Sequence, residues 1–172
     1  MKIAVCGYMG SGKSTVSQLL AEKLKLDFIE LDKEIEKKEN FSISEIFAQK
    51  GEIYFRKKET LVLEETLSHT KKAIISLGGG TPCYGNNLEL LKNDEELKLV
   101  YLKVTPQNLT QRLFKERAKR PLIANLEEEK LEEYVRKHLF ERQFYYLQSD
   151  VIIDANNKTV EDLVAEISKL LD

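Results

Sequence analysis

Gly7-Tyr8-Met9-Gly10-Ser11-Gly12-Lys13-Ser14 fits the pattern G-x-x-x-x-G-K-[ST], which has a mechanism only where it joins a strand to a helix. Both flanks meet that condition. Lys2-Ile3-Ala4-Val5-Cys6 is a short apolar run suited to a buried parallel strand, and Val16, Leu19, Leu20 and Leu24 then recur at helical spacing. The glycines let the backbone curl so that its N–H groups point inward, and the start of the helix adds partial positive charge at the same place. Gly10, Ser11, Gly12, Lys13, Ser14 and Thr15 are therefore the expected phosphate cradle. Lys13 is placed to reach the β- and γ-phosphates of a nucleoside triphosphate, and the Ser14 hydroxyl to ligate Mg²⁺. A glycine-rich turn that binds nothing would not need all of these positions together.

The rest of the chain is consistent with one compact α/β domain. Its 172 residues are ample for a single core. Lys and Arg number 27 against 29 Asp and Glu, a formal net charge of -2, so composition gives no reason to expect nucleic acid as a partner. Met1-Lys2 leads straight into the first strand, and no apolar run approaches the roughly 18 residues of a membrane span, so a soluble cytoplasmic monomer acting on a small molecule is expected. Cys6 and Cys83, with only His69 and His138 to help, read as packed thiols rather than metal ligands or nucleophiles.

Further β-rich runs occur at Phe28-Ile29, Ala73-Ile74-Ile75, Leu99-Val100-Tyr101-Leu102 and Val151-Ile152-Ile153. Helical stretches are expected from about Ser44 to Thr70, Asn87 to Asn93, Pro106 to Arg117, Leu126 to Leu147 and Thr159 to Leu171, the last opened by a capping box of Thr159 with Asp162. The alternation predicts a three-layer α/β/α fold around a central parallel sheet. The charged stretch Lys33 to Glu39 and the cluster Glu127-Glu128-Glu129 read as solvated helix faces.

A phosphate cradle names the donor and not the acceptor, so other clusters must supply it. Glu30 and Asp32 lie two apart at the end of the second strand, where strand alternation would point both to one side of a cleft. Gly78-Gly79-Gly80 follows the strand that ends near Ser76, and successive glycines mark close approach of backbone to a ligand or to another element. Three arginines, Arg56, Arg120 and Arg142, stand in segments that also carry Gly51-Glu52, Pro121-Leu122 and Gln143-Phe144-Tyr145.

In their order and spacing these motifs resemble the shikimate kinases, small P-loop enzymes that phosphorylate the 3-hydroxyl of shikimate with ATP. The likeness spans nearly the whole chain: the cradle through Thr15, Asp32-Lys33-Glu34-Ile35-Glu36, Ile46-Phe47, Gly51-Glu52, Phe55-Arg56, Gly78-Gly79-Gly80, Arg120-Pro121-Leu122, and Arg142 with Tyr145. The resemblance implies that Asp32, Arg56, Gly78, Gly79, Gly80 and Arg142 bind shikimate. It implies too that Arg120 acts from a mobile lid near residues 115–125, that Arg112 lies beside the adenine, and that ATP and Mg²⁺ are required. One departure stands out: the family commonly carries Asp-x-Asp at the second strand, whereas the first acid here is Glu30.

The residue chemistry agrees. A small carboxylate bearing neighbouring hydroxyls calls for planar cationic forks, which Arg56 and Arg142 supply, and for an anionic acceptor, which Asp32 supplies. Lys13, Asp32 and Arg120 form the expected catalytic set, with positioning and charge stabilisation accounting for most of a loose phosphoryl transfer. Another small-metabolite or nucleotide kinase, acting on gluconate or a nucleoside monophosphate, is the alternative among enzymes. A non-catalytic nucleotide-binding module is the alternative outside them, and it would have little use for a substrate-side acid and a lid arginine.

Overall fold

The computed structural model describes residues 1–120 and 122–171. Pro121, expected from the sequence to interrupt the helix before it, lies outside the described residues.

Five strands among the described residues form one parallel sheet: β1 (Lys2–Cys6), β2 (Asp27–Glu30), β3 (Ala73–Ser76), β4 (Leu97–Lys103) and β5 (Val151–Asp154), in the order β2-β3-β1-β4-β5. The register pairs Val5 with Ser76 and with Val100, and Glu30 with Ser76, so the carboxyl ends of β1, β2 and β3 finish side by side. β1 is central and wholly buried, in keeping with its apolar run from Ile3 to Cys6. From β1 the chain goes to the edge at β2, returns to β3, and then crosses past β1 to reach β4 and β5 on the other side. This reversal opens a crevice at the strands' carboxyl ends, where α/β sheets bind ligands.

Seven helices among the described residues flank the sheet: α1 (Lys13–Leu24), α2 (Leu31–Glu39), α3 (Ile43–His69), α4 (Asn87–Asn93), α5 (Pro106–Glu116), α6 (Glu128–Tyr146) and α7 (Val160–Leu171). α1 packs with α7, and α5 packs with α6. Right-handed crossovers place the first pair on one face of the sheet and the second on the other, giving the expected three layers. The capping box at Thr159 and Asp162 forms, each residue's side chain accepting from the other's backbone N–H at 3.1–3.2 Å.

Four expectations need revision. The stretch from Ser44 to Thr70 is not one continuous helix, because Gly51 has φ 83° and ψ 171° and kinks it. Only glycine reaches that conformation at little cost. α6 begins at Glu128, two residues later than expected, since Leu126 packs against the core from the preceding loop. The second strand ends at Glu30 and α2 begins at Leu31, so Asp32 belongs to a helix and strand alternation does not relate the two acids. Lastly, Lys33 to Glu39 is not uniformly solvated. Glu39 is nearly buried and receives Lys50, Lys58 and the Tyr54 hydroxyl, and Glu36 accepts the Ile43 N–H at the foot of α3.

Candidate active site

The crevice is a cleft of about 610 Å³ whose wall brings together Gly10, Gly12, Lys13, Ser14 and Thr15 from the P-loop, Glu30 and Asp32 from the β2–α2 junction, Gly78 and Gly79 from the run after β3, and Arg112 and Arg120. Positive φ values at Gly10 and Gly12, 81° and 92°, give the loop its inward curl. Lys13 follows at the first position of α1, and its ammonium donates to the Tyr8 carbonyl at 3.1 Å. Burial pushes this ammonium down to about 8. Bound phosphates would reverse that by supplying anionic partners. Ser11 differs from its neighbours: it is buried, and its N–H donates to the Tyr8 carbonyl at 3.1 Å. Arg112 ties the P-loop to the residue that follows β5, its guanidinium donating to the Gly10, Ser11 and Ala155 carbonyls at 3.3–3.4 Å.

Ser14 Oγ lies 3.4 Å from Glu30 Oε1, so two oxygen donors meet at the cleft where the sequence places a magnesium ion. Among the described residues no three or more His, Cys, Asp and Glu side chains gather in a metal-binding cluster. A hydroxyl and a carboxylate suffice for Mg²⁺, which keeps several waters and takes its other ligands from substrate phosphates. The donor set fits, with Glu30 in place of the shorter aspartate.

Asp32 projects from the first turn of α2 towards the glycine run. A Cβ added at Gly78 would stand 2.9 Å from Asp32 Oδ1, so glycine is what makes room for this carboxylate. Burial, followed by the negative charge of Glu59, pushes the Asp32 carboxyl up to about 6. That places it where a general base working near neutral pH has to be.

Arg56 and Arg142 stand beyond the glycine run rather than on the cleft wall itself. A Cβ at Gly80 would come within 2.7–2.8 Å of both terminal nitrogens of Arg56, and one at Gly79 within 3.3 Å of Arg142 Nη1. The Nε atoms of both arginines are buried without a hydrogen-bond partner. Unsatisfied buried donors of this kind call for an anionic ligand or water. The Arg56 fork is fixed from three sides: Glu59 accepts from Nη1 at 2.7 Å, the Tyr84 ring lies 3.8 Å from the guanidinium carbon, and α3 carries the residue itself.

Glu59 was not anticipated from the sequence. It is 1% exposed, and its second oxygen accepts from the Thr81 hydroxyl at 2.9 Å. Its one signal in the chain is that it lies on the apolar face of α3 with Phe55, Val62 and Leu63, three residues after Arg56, where an unpaired acid would be costly. Tyr146 was missed too, its hydroxyl donating to the Gly79 carbonyl and so tying the glycine run to α6. Both thiols are packed as expected, burial pushing Cys6 up to about 12 and Cys83 up to about 11.

Comparison with known proteins identifies the family of the chain. A family model for shikimate kinase matches residues 9–172. A shikimate kinase of Flavobacterium johnsoniae is 48% identical over 170 residues, 99% of this chain and 98% of the relative, and one of Flavobacterium psychrophilum is 42% identical over the same shares. Among solved structures, a shikimate kinase of Bacteroides thetaiotaomicron superposes with a TM-score of 0.91 at 32% identity, covering 99% of this chain and 98% of that one. A shikimate kinase from Acinetobacter baumannii in complex with shikimate gives a TM-score of 0.86 at 35% identity, covering 99% and 92%.

Proposed function

Since the chain belongs to the shikimate kinase family, we propose that its cleft transfers the γ-phosphate of ATP to the 3-hydroxyl of shikimate with the roles divided as follows. The P-loop from Gly10 to Thr15 holds the triphosphate, Lys13 contacting the β- and γ-phosphates. Ser14, with Glu30 behind it, holds Mg²⁺, which when bound offsets charge on the phosphate oxygens. Arg112 borders the adenine side. Arg56 and Arg142 grip the shikimate carboxylate as paired forks, with backbone N–H groups of the run from Gly78 to Gly80 beside the ring. Asp32 orients the 3-hydroxyl and takes its proton late in the transfer. Arg120 bridges the transferring phosphate and the acceptor.

One observation supports this reading above the others. A carboxylate held near neutral pKa faces the phosphate cradle across a glycine run, and two arginines with unsatisfied buried nitrogens stand immediately behind that run. A nucleotide-binding module has no use for that acceptor side. Every group named comes from one chain, so a monomer is sufficient, and no helix among the described residues is long and apolar enough to cross a membrane.

The whole chain then works as one P-loop kinase domain whose lid comprises residues near 115–125. Arg120 lines the cleft and pairs loosely with Glu116 at 3.9 Å, while Arg117 stacks on Phe114 at 3.8 Å. Ile123 is fully buried and anchors the far side of the lid. Closure excludes water that would otherwise take the phosphate. Hydrogen exchange in this segment is expected to slow when nucleotide and shikimate are both bound; equal exchange with and without ligands would remove the lid. The substrate is tested by ADP release against a panel of polyol acids, sugar acids and nucleoside monophosphates. Shikimate is expected to drive release, and release driven only by gluconate or a nucleoside monophosphate would replace this reading.

A further inference from the structure

One face of α6 reaches three parts of the site in successive turns. His138, Arg142 and Tyr146 are spaced by four residues and so lie in a row along the helix. Tyr146 holds the Gly79 carbonyl, Arg142 reaches the space above Gly79, and His138 Nδ1 lies 2.9 Å from the Tyr8 hydroxyl. Tyr8 is the second residue of the P-loop, only 1% exposed, and its ring meets the imidazole edge to face with centroids 5.4 Å apart. Tyr134, one turn earlier on α6, packs against the imidazole at the same centroid distance of 5.4 Å. Burial and the nearby Arg142 lower the His138 pKa, which favours the neutral ring that can share one hydrogen bond with the phenol.

The other end of Tyr8 faces the nucleotide side. Its carbonyl accepts from the Lys13 ammonium and from the Ser11 N–H, both at 3.1 Å. A phosphate that recruits Lys13 competes for a donor now held by Tyr8, while the Tyr8 hydroxyl is held by the helix that carries Arg142. Met9, the next residue, packs its N–H within 3.5 Å of where a Cβ on Gly79 would be, so the two sites touch at this point.

We infer that Tyr8 and His138 are positioning residues that couple the phosphate cradle to the acceptor site, their hydrogen bond fixing the leading half of the P-loop against α6 so that each substrate favours binding of the other. The inference rests on the assignment of shikimate to the Arg56–Arg142 side. The coupling free energy is reciprocal between the two ligands. Neither residue lines the cleft.

The test measures shikimate affinity by calorimetry with and without a non-hydrolysable ATP analogue and Mg²⁺, in the intact protein. In the parent protein the analogue is expected to tighten shikimate binding by about fivefold or more, the lower end of typical coupling. Tyr8→Phe keeps the ring and loses the hydroxyl. Each ligand alone should then bind within about twofold of the parent, the coupling ratio should fall towards one, and kcat should drop about three- to tenfold, the net worth of one hydrogen bond. His138→Leu should behave alike, His138→Gln should restore much of the coupling, and the double variant should be no worse than either single change. A purely structural role would lower melting temperature and both separate affinities instead, which overturns the inference. So would parental coupling in Tyr8→Phe and His138→Leu, or no coupling in the parent protein. If the parent protein binds the analogue but no shikimate, the functional reading itself fails, and that outcome is distinct from loss of coupling alone.

Discussion

Glu59→Gln removes one buried negative charge and leaves the shape of the side chain almost unchanged, and it should alter two measurable quantities in defined directions. The first is shikimate binding. Glu59 accepts from Arg56 Nη1 at 2.7 Å and is 1% exposed, so the pair is a buried, charge-assisted hydrogen bond. Hydrogen bonds to charged groups contribute about 1.5–3 kcal/mol, so a fork no longer held square to its ligand should raise KM for shikimate by about ten- to a hundredfold. KM for ATP should barely change, because the hydrogen bonds of Glu59 go to Arg56 and Thr81 and not to the P-loop. The second quantity is the acid limb of the pH profile. Glu59 is the largest charge-based cause of the raised Asp32 carboxyl, at about 6, so its removal makes the Asp32 anion easier to form. The limb of kcat/KM that reports Asp32 should therefore move to lower pH. Steady-state kinetics across the acid range, varying each substrate in turn, reads both effects. An unchanged shikimate KM with an unmoved acid limb would refute the claim that Glu59 sets both the Arg56 fork and the Asp32 proton affinity.

Asp32→Asn should cut turnover far more than ATP binding and should erase the acid limb near pH 6. It should also raise the melting temperature at neutral pH. A carboxyl whose folded pKa exceeds its unfolded value costs stability once pH passes the folded pKa, and the amide does not bear that cost; a lower melting temperature would count against burial as the cause of the shift. Lys13→Ala should lower the rate by about a hundredfold or more with the fold retained. In the parent protein, burial lowers Lys13 to about 8 and phosphates would raise it again, so ATP binding at about pH 9 should take up protons. Calorimetry in buffers of different ionisation enthalpy would detect this, and zero uptake would contradict the Lys13–phosphate contact. Gly80→Ala would bring a methyl group to within 2.7–2.8 Å of the pinned Arg56 fork, so it should weaken shikimate binding while leaving nucleotide affinity intact, as binding titrations would show.

Local sequence carried the donor half of the site almost completely, because a P-loop is built from consecutive residues whose flanks announce a strand and a helix. The five strands were legible for the same reason. The acceptor half was legible only as separate fragments: Asp32, Arg56, the glycine run and Arg142 come from three different connections, and the sheet order alone brings them together. What escaped the sequence was what holds those residues in place. Glu59 looked like one more helical acid, since its burial depends on Thr81 and Arg56 packing over it. The Tyr8–His138 contact joins residues 130 apart in the chain, a separation over which neither periodicity nor motif carries information. Gly51 looked like one glycine inside a helical pattern, and only its φ of 83° reveals the break. The helical start at Leu31 was hidden because Glu30, at its N-cap, makes no side-chain capping bond.

The most direct test of the central claim is the identity of the product. The protein should be incubated with Mg²⁺, shikimate and ATP labelled in the γ-phosphate, and the label followed by phosphorus and proton NMR. Asp32 facing the cradle, with the carboxylate end anchored at Arg56 and Arg142, predicts that the label appears on the 3-hydroxyl of shikimate, in step with ADP. Label recovered as inorganic phosphate, or on a different hydroxyl, would contradict that geometry.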